Sequence, residues 1–359
     1  MNVDFDLKKW LTWNVNMSYS NNYMKGPRDG LDGNNSGMYD APCSPAYTPD
    51  GHFYDFYMCG RSPLAAMKGA GIASREFATF RFSTALYFQI FKDLKITAQA
   101  SLTKNDNIQK ETKTPYTVGY WDTSLNRVNE INGGTSNYIQ ERSQRTLYEY
   151  YLAQADYNHY FGNHYVAAMI GVNAERNSYK NVTAKRDGIL YDGLFDLNTA
   201  SSEAAHQHIT GGSNQNGFVS FFTRLNYQYD GRYLLELLGR RDGTSKFHKD
   251  YRWSNFGAAS AAWRISQEKF ITDNCNWLTD LKIRASYGVT GGAVSSLGNY
   301  DYLSTVNTTG THYFDSGLVG TAYLGSMIDY SRTWEKLHNF NVGIDFGFLN
   351  NRLKGSFDW

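Results

Sequence analysis

Cysteine is nearly missing from these 359 residues: there are three, Cys43, Cys59 and Cys275. No two stand in a Cys-x-x-Cys pair or at Cys/His zinc spacing, which argues against a structural zinc site. Charge of one sign is also missing, with 35 Lys+Arg against 34 Asp+Glu and a formal charge of +1. That balance gives no basic stripe and so no case for nucleic acid. Proline is scarce, at 6. No apolar run approaches the roughly 18 residues of a membrane helix, and the longest candidates, such as Leu234 to Leu238, have strand length. The start, Met1-Asn2-Val3-Asp4-Phe5-Asp6, has no basic region, apolar stretch or small-residue cleavage site of a secretory signal. A cytoplasmic protein would begin this way, and so would a chain lacking its natural beginning; the strand pattern favours the second.

What is abundant is aromatic. Tyr 28, Phe 21 and Trp 8 make up 16% of a chain that is polar on average, a combination that alternating strands produce when one face is apolar and the other wet. The alternation has period two. Phe80, Phe82, Thr84, Leu86, Phe88 and Ile90 oppose Arg81, Ser83, Ala85, Tyr87 and Gln89, and Leu94, Ile96, Ala98, Ala100 and Leu102 oppose Lys95, Thr97, Gln99, Ser101 and Thr103. The same pattern runs through 281–290 and 339–348, and more weakly through 7–20, 145–158, 165–177, 217–229, 232–242, 253–265 and 353–359. About eleven strands are expected, many at or beyond the roughly 9–11 residues that cross a bilayer when tilted.

Connection length alternates as well. Long loops are expected at 21–74, 104–144, 178–213 and 291–334, with a shorter one at 243–252. Between them stand tight turns at Phe91-Lys92-Asp93, Phe161-Gly162-Asn163-His164, Asp230-Gly231 and Asn350-Asn351, and a longer connection at 266–280. Asp-Gly and Asn-rich pairs suit hairpins because they tolerate positive φ. Long loops on one side and short turns on the other are the plan of an antiparallel transmembrane β-barrel, loops outside and turns in the periplasm. A soluble sandwich seldom combines strands this long with one-sided loops of this size. The polar faces, with Arg81, Lys95, Arg284 and Asp345, are expected to line a lumen, and Trp10, Trp13, Tyr19, Trp263 and Trp277 to form interface girdles.

Residues 229–291 carry a resemblance. They read Tyr229-Asp230-Gly231-Arg232-Tyr233, Arg240-Arg241-Asp242-Gly243, Tyr251-Arg252-Trp253, Ala262-Trp263-Arg264-Ile265-Ser266, Glu268-Lys269-Phe270 and Asp280-Leu281-Lys282-Ile283-Arg284-Ala285-Ser286-Tyr287-Gly288. A second block has Trp334-Glu335-Lys336, Asn341-Val342-Gly343-Ile344-Asp345-Phe346-Gly347 and Asn350-Asn351-Arg352-Leu353. In this order the blocks resemble the barrel of SusC/RagA-family TonB-linked outer-membrane proteins, although Ser331-Arg332-Thr333 replaces the family's usual Asn-Pro lead into Trp-Glu-Lys. The resemblance implies that residues 1–359 are a partial TonB-dependent receptor barrel, about half of one with roughly 22 strands, with signal peptide, TonB box and plug absent. It implies the outer membrane of a Gram-negative, Bacteroidetes-type cell, uptake of oligosaccharide or peptide, a SusD-type surface lipoprotein as lid, and TonB acting on a plug.

Other chemistry is thinly supported. No Gly-x-Ser-x-Gly, His-Glu-x-x-His or phosphate-cradling glycine loop occurs, so no enzyme and no cofactor or metal is expected. Asp32-x-Asn34-x-Ser36-Gly37 opens like a calcium loop, but its twelfth position is Cys43, not Glu. Tyr116, Tyr120, Trp121, Tyr138 and Tyr191 stand among amides and carboxylates in the expected long loops, a mixture suited to stacking on sugars, or equally to packing a loop against itself. Cys43 and Cys59 share one loop, and an oxidising compartment would let them form a disulfide. The rival readings are a non-functional remnant, since half a barrel leaves open edges in lipid, and a barrel-anchored adhesin or binding protein.

Overall fold

The computed structural model describes residues 1–28, 45–55, 62–191, 193–275, 277–292, 297–315, 317–325, 328–350 and 352–359. Cys43, Cys59 and the stretch Asp32 to Gly37 lie outside the described residues. Among the described residues, twelve strands form one antiparallel sheet: β1 (Asn2–Lys8), β2 (Leu11–Pro27), β3 (Ile72–Phe91), β4 (Leu94–Lys113), β7 (Tyr138–Phe161), β8 (His164–Asp187), β9 (Gln207–Tyr229), β10 (Tyr233–Thr244), β11 (Trp253–Arg264), β12 (Leu278–Gly291), β15 (Lys336–Phe348) and β16 (Leu353–Asp358). Two hairpins, β5–β6 (Tyr116–Asp122 and Arg127–Gly134) and β13–β14 (Val306–Phe314 and Gly317–Leu324), stand in the long connections. Each strand of the large sheet pairs with its sequence neighbour in it, as in an up-and-down barrel wall. The wall is open: β1 bonds only to β2, and β16 only to β15.

Twelve strands replace the expected eleven. The stretch 7–20, expected as one strand, reverses at Lys9-Trp10 between β1 and β2; that turn holds no Gly, Asn or Asp to announce it. The strands also run past the expected loop boundaries. β7, β8 and β9 have 24, 24 and 23 residues, about twice what a tilted crossing needs. Residues 104–113, 138–144, 178–187 and 207–213, expected as loop, are strand. Above the bilayer both faces meet water, so pairing continues there without period-two hydropathy. At the opposite ends Asp230 and Gly231 make the expected hairpin turn at φ +50° and +69°, while the final turn centres on Leu349 and Asn350, at +54° and +58°, one residue earlier than expected.

The register joins the apolar half of every strand into one surface. One row crosses the sheet through Phe5, Trp13, Leu86, Ala98, Ala153, Val172 and Phe221. Another runs through Tyr229, Tyr233, Trp263, Ile283, Ile344 and Phe357. Its members are half-buried or exposed, Ile170 on the same face by 66% and Phe357 by 67%. An apolar face of this extent is a lipid surface. Even Thr84 on this face is satisfied, accepting from Trp13 Nε1 at 2.7 Å.

Aromatic rings rim this surface. Near the short turns, Trp10 stacks on Phe88, Tyr229 on Tyr233, Tyr233 on Trp263 (6.3 Å, 11°) and Trp277 on Phe348. Near the long loops, Trp253 stacks on Phe221. Trp253 and Trp263 stand ten residues apart on β11, roughly 33 Å along a strand and about 25 Å along the normal at a tilt near 40°. That is the height of an outer-membrane apolar band.

The longer connection between β11 and β12 is tied to the lower rim. It holds a short helix, α2 (Lys269–Thr272), which follows α1 (Pro63–Gly69) in the chain. Glu268 is buried there and accepts from Tyr233 Oη (2.7 Å), Trp263 Nε1 (3.0 Å) and Arg232 Nη1 (3.1 Å). These donors, Tyr233 foremost, hold its carboxyl below the usual carboxylate range.

Two outcomes follow. Arginine replacing Phe82 or Ile344 should cost about 2–4 kcal/mol near the midplane, whereas Ser83→Arg, on the wet face, should cost far less, measured as folded yield in lipid. Gly343 shares the wet face, but a Cβ there would lie 2.7 Å from Arg284 Cζ and Asp358 Oδ1, so those side chains must shift to admit one. For Glu268 the depressed folded pKa means that its stabilisation is complete above the ordinary carboxylate pKa and is lost as pH falls through the folded value. Glu268→Gln should therefore speed amide exchange across 265–277 relative to wild type at pH 7. The two proteins should converge as pH falls through the lowered folded pKa of Glu268 and its carboxyl is protonated.

Candidate functional site

The inner face of the wall carries the polar halves of the strands, and its charges are paired. Arg240 Nε meets Asp242 Oδ1 at 2.6 Å and Arg240 Nη2 donates to Ser220 Oγ at 2.9 Å; Ser220 and Asp242 are buried. Residues two apart on one strand share a face, which is why Arg240 and Asp242 meet. Towards the short turns, Arg224 Nη2 pairs with Glu236 Oε2 at 2.7 Å, Lys282 Nζ with Asp345 Oδ2 at 2.7 Å, and Arg284 Nη2 with Asp358 Oδ1 at 2.6 Å. Lys95 lies over the ring of Tyr87, 4.6 Å from its centroid. The lumen charges expected at Lys95, Arg284 and Asp345 are in place.

Among the described residues, two recesses of more than 500 Å³ open on this face. The upper, about 700 Å³, is lined among others by Tyr150, Asn173, Glu175, Phe222, Arg240 and Phe256. The lower, about 580 Å³, includes Arg224, Glu236, Arg264 and Arg284. The upper joins aromatic faces to a carboxylate, an amide and a guanidinium, groups that stack on and hydrogen-bond to a polar solute.

Above it a small aromatic core anchors the long connections. Trp334 is buried, donates from Nε1 to the carbonyl of Arg252 at 2.8 Å, and packs edge-on against Phe256 (5.5 Å) and Phe218 (5.8 Å) and beside Phe247. The Trp-Glu-Lys signature thus pins the 245–252 loop and the end of the 292–335 connection to the wall. The sequence shows these residues as a motif; their convergence from four segments could not be read from spacing.

Comparison with known proteins agrees with this geometry. No family model matches the chain. It is 29% identical to the TonB-dependent receptor SusC of Bacteroides thetaiotaomicron over 307 residues, 83% of this chain and 28% of that one. It is 28% identical to the TonB-dependent receptor P26 of Formosa agariphila over 365 residues, 98% of this chain and 34% of that one. The fold matches the RagAB peptide transporter with a TM-score of 0.79 at 21% identity, over 99% of this chain and 39% of that chain. The chain is similar to a stretch of SusC/RagA-type TonB-dependent receptor barrel. It spans about a third of the length of these curated relatives. A SusC/RagA-like wall lies in the outer membrane of a Gram-negative cell, its short turns periplasmic and its long connections extracellular.

The five aromatic residues expected to meet ligand lie in this extracellular part. Tyr116, Tyr120 and Trp121 share the β5 strand of one hairpin, Tyr138 begins β7, and Tyr191 lies between β8 and β9. Two are engaged inside the protein: the Tyr116 ring packs where Gly69 and Gly134 leave room, and Tyr138 Oη donates to Glu111 at 2.8 Å beneath Lys185. Tyr120 Oη accepts from Asn129 at 3.4 Å. Trp121 and Tyr191 present open faces, the latter 63% exposed. The paired charges and rings of the upper recess were not singled out as ligand contacts, because they come from five strands.

Trp334→Ala should remove roughly 3–5 kcal/mol of local stability, which reads as at least a hundredfold faster amide exchange over 245–252. Protection in β7 and β8 should not change.

Proposed function

We propose that this wall lines the lumen of a TonB-dependent importer that brings oligosaccharide or peptide across the outer membrane. The observation that carries the reading is the upper recess: rings, amide and paired charges on the wet face of a lipid-facing sheet, beneath long extracellular connections. Support comes from the fold shared with a protein described as a peptide transporter and from likeness to the receptor SusC. On this reading a SusD-like lipoprotein covers the long connections and the TonB complex acts through a plug in the same lumen. Trp121 and Tyr191 offer the first aromatic faces to a solute, with Tyr116, Tyr120 and Tyr138 framing them. The chain binds and passes its solute; it does not transform it.

The test is uptake by cells carrying the intact receptor. Labelled oligosaccharides and labelled peptides are supplied separately, with and without a protonophore. One class should enter, and the protonophore or deletion of the gene should stop it. Arg240→Ala should reduce uptake about tenfold, equivalent to about 1.4 kcal/mol, with unchanged amounts of folded protein. Uptake of both classes that survives the deletion would sink the proposal.

A further inference from the structure

The lipid-facing surface of β4, β7 and β8 changes character abruptly where its apolar rows end. Tyr151, Ala174 and Val219 share the last uniformly apolar row, and above it Leu102, Phe80 and Leu147 are interspersed with charge. Within the next six residues on the same face stand Lys104, Arg145, Arg176 and Lys180, with Asp106 and Glu149 as carboxylates and Leu147 and Ser178 between them. Arg176 pairs with Glu149, its cross-strand partner. Asp106 is shared by Lys104 (2.6 Å) and Arg145 (2.9 Å), whose side chain remains 63% exposed.

Lys180 is exposed and has no ion-pair partner among the described residues. It stands directly opposite Arg145 in the register. Like charges facing each other across two strands destabilise the pair, and one carboxylate beside Arg145 does not offset two cations. The position along the normal is also specific. Lys104 stands two residues above Leu102, and Lys180 six residues above Ala174, about 20 Å along the strand and about 15 Å along the normal at a tilt near 40°. The excess cations therefore begin at the edge of the hydrocarbon-facing band and rise from it on the extracellular side.

We propose that Lys104, Arg145 and Lys180 hold the phosphate of a phosphorylated lipid headgroup in the outer leaflet. Arginine offers a planar fork to phosphate oxygens and lysine a point charge. The long stems of both lie along the apolar surface while their heads reach the headgroups. Charge complementarity and continuity with the lipid-facing band point to lipid as occupant rather than a soluble anion or an acidic protein. This inference needs the outer-membrane placement but not import, so the two stand or fall separately.

The experiment compares the intact receptor with a Lys104→Gln/Arg145→Gln/Lys180→Gln variant, both extracted from outer membrane in mild detergent. Bound phospholipid and phosphorylated glycolipid are counted by native mass spectrometry. Heat-modifiable migration establishes that each protein is folded. Wild type should retain phosphate-bearing lipid and the variant at least fivefold less, while a Lys104→Arg/Lys180→Arg variant keeps it. Inorganic phosphate, up to the millimolar range, should not displace the lipid. Equal lipid retention in wild type and the Gln variant would overturn the proposal. So would displacement by inorganic phosphate, or an acidic protein in place of lipid.

Discussion

Inside hydrocarbon no water is present to satisfy a backbone N–H or C=O, and each unpaired group costs several kcal/mol. Everything else in this wall follows from that requirement. Strands can meet it only by bonding on both sides, so consecutive hairpins accumulate into one twelve-stranded sheet and the chain reverses in a few residues at the periplasmic end. Because pairing fixes the register, it also fixes which side chains face lipid. A one-residue slip would carry Arg81 or Arg284 into the bilayer. The aromatic rims then mark where the requirement ends, about 25 Å apart.

Beyond the upper rim water returns and the sequence is released from alternation, but the hydrogen-bond ladder is not. β3, β4, β7, β8 and β9 continue well above the membrane, forming a projecting palisade on one side, whereas β10, β11, β12 and β15 stop near the rim. The connections that fold over the shorter strands are held by Trp334 and its neighbours. Different strand heights thus place loops both beside and over the lumen, which is the arrangement a binding recess needs.

Charge is used differently on the two faces. Toward the lumen, cations and carboxylates are matched within strands or between neighbours, as Arg240 with Asp242 and Arg284 with Asp345 and Asp358. On the lipid side none is tolerated within the band, and above it cations outnumber anions. The same near-neutral composition therefore yields a balanced interior and a basic collar.

The alternating runs of Phe80 to Ile90 and Phe340 to Phe348, and the Asp230-Gly231 turn, are legible from residue order alone, since side-chain period and turn chemistry are local properties. With them came the membrane barrel, its orientation and the SusC/RagA likeness. The Lys9-Trp10 reversal was not legible, because its residues carry no turn preference and only pairing of Phe5 with Trp13 and Val3 with Val15 reveals it. Nor were the upper reaches of β4, β7 and β8, where both faces are wet and period two disappears. The upper recess and the Trp334 core belong wholly to tertiary structure. Their members lie up to 141 residues apart in the chain, from Tyr150 to Gly291, and nothing in local propensity says which strands the register will bring together.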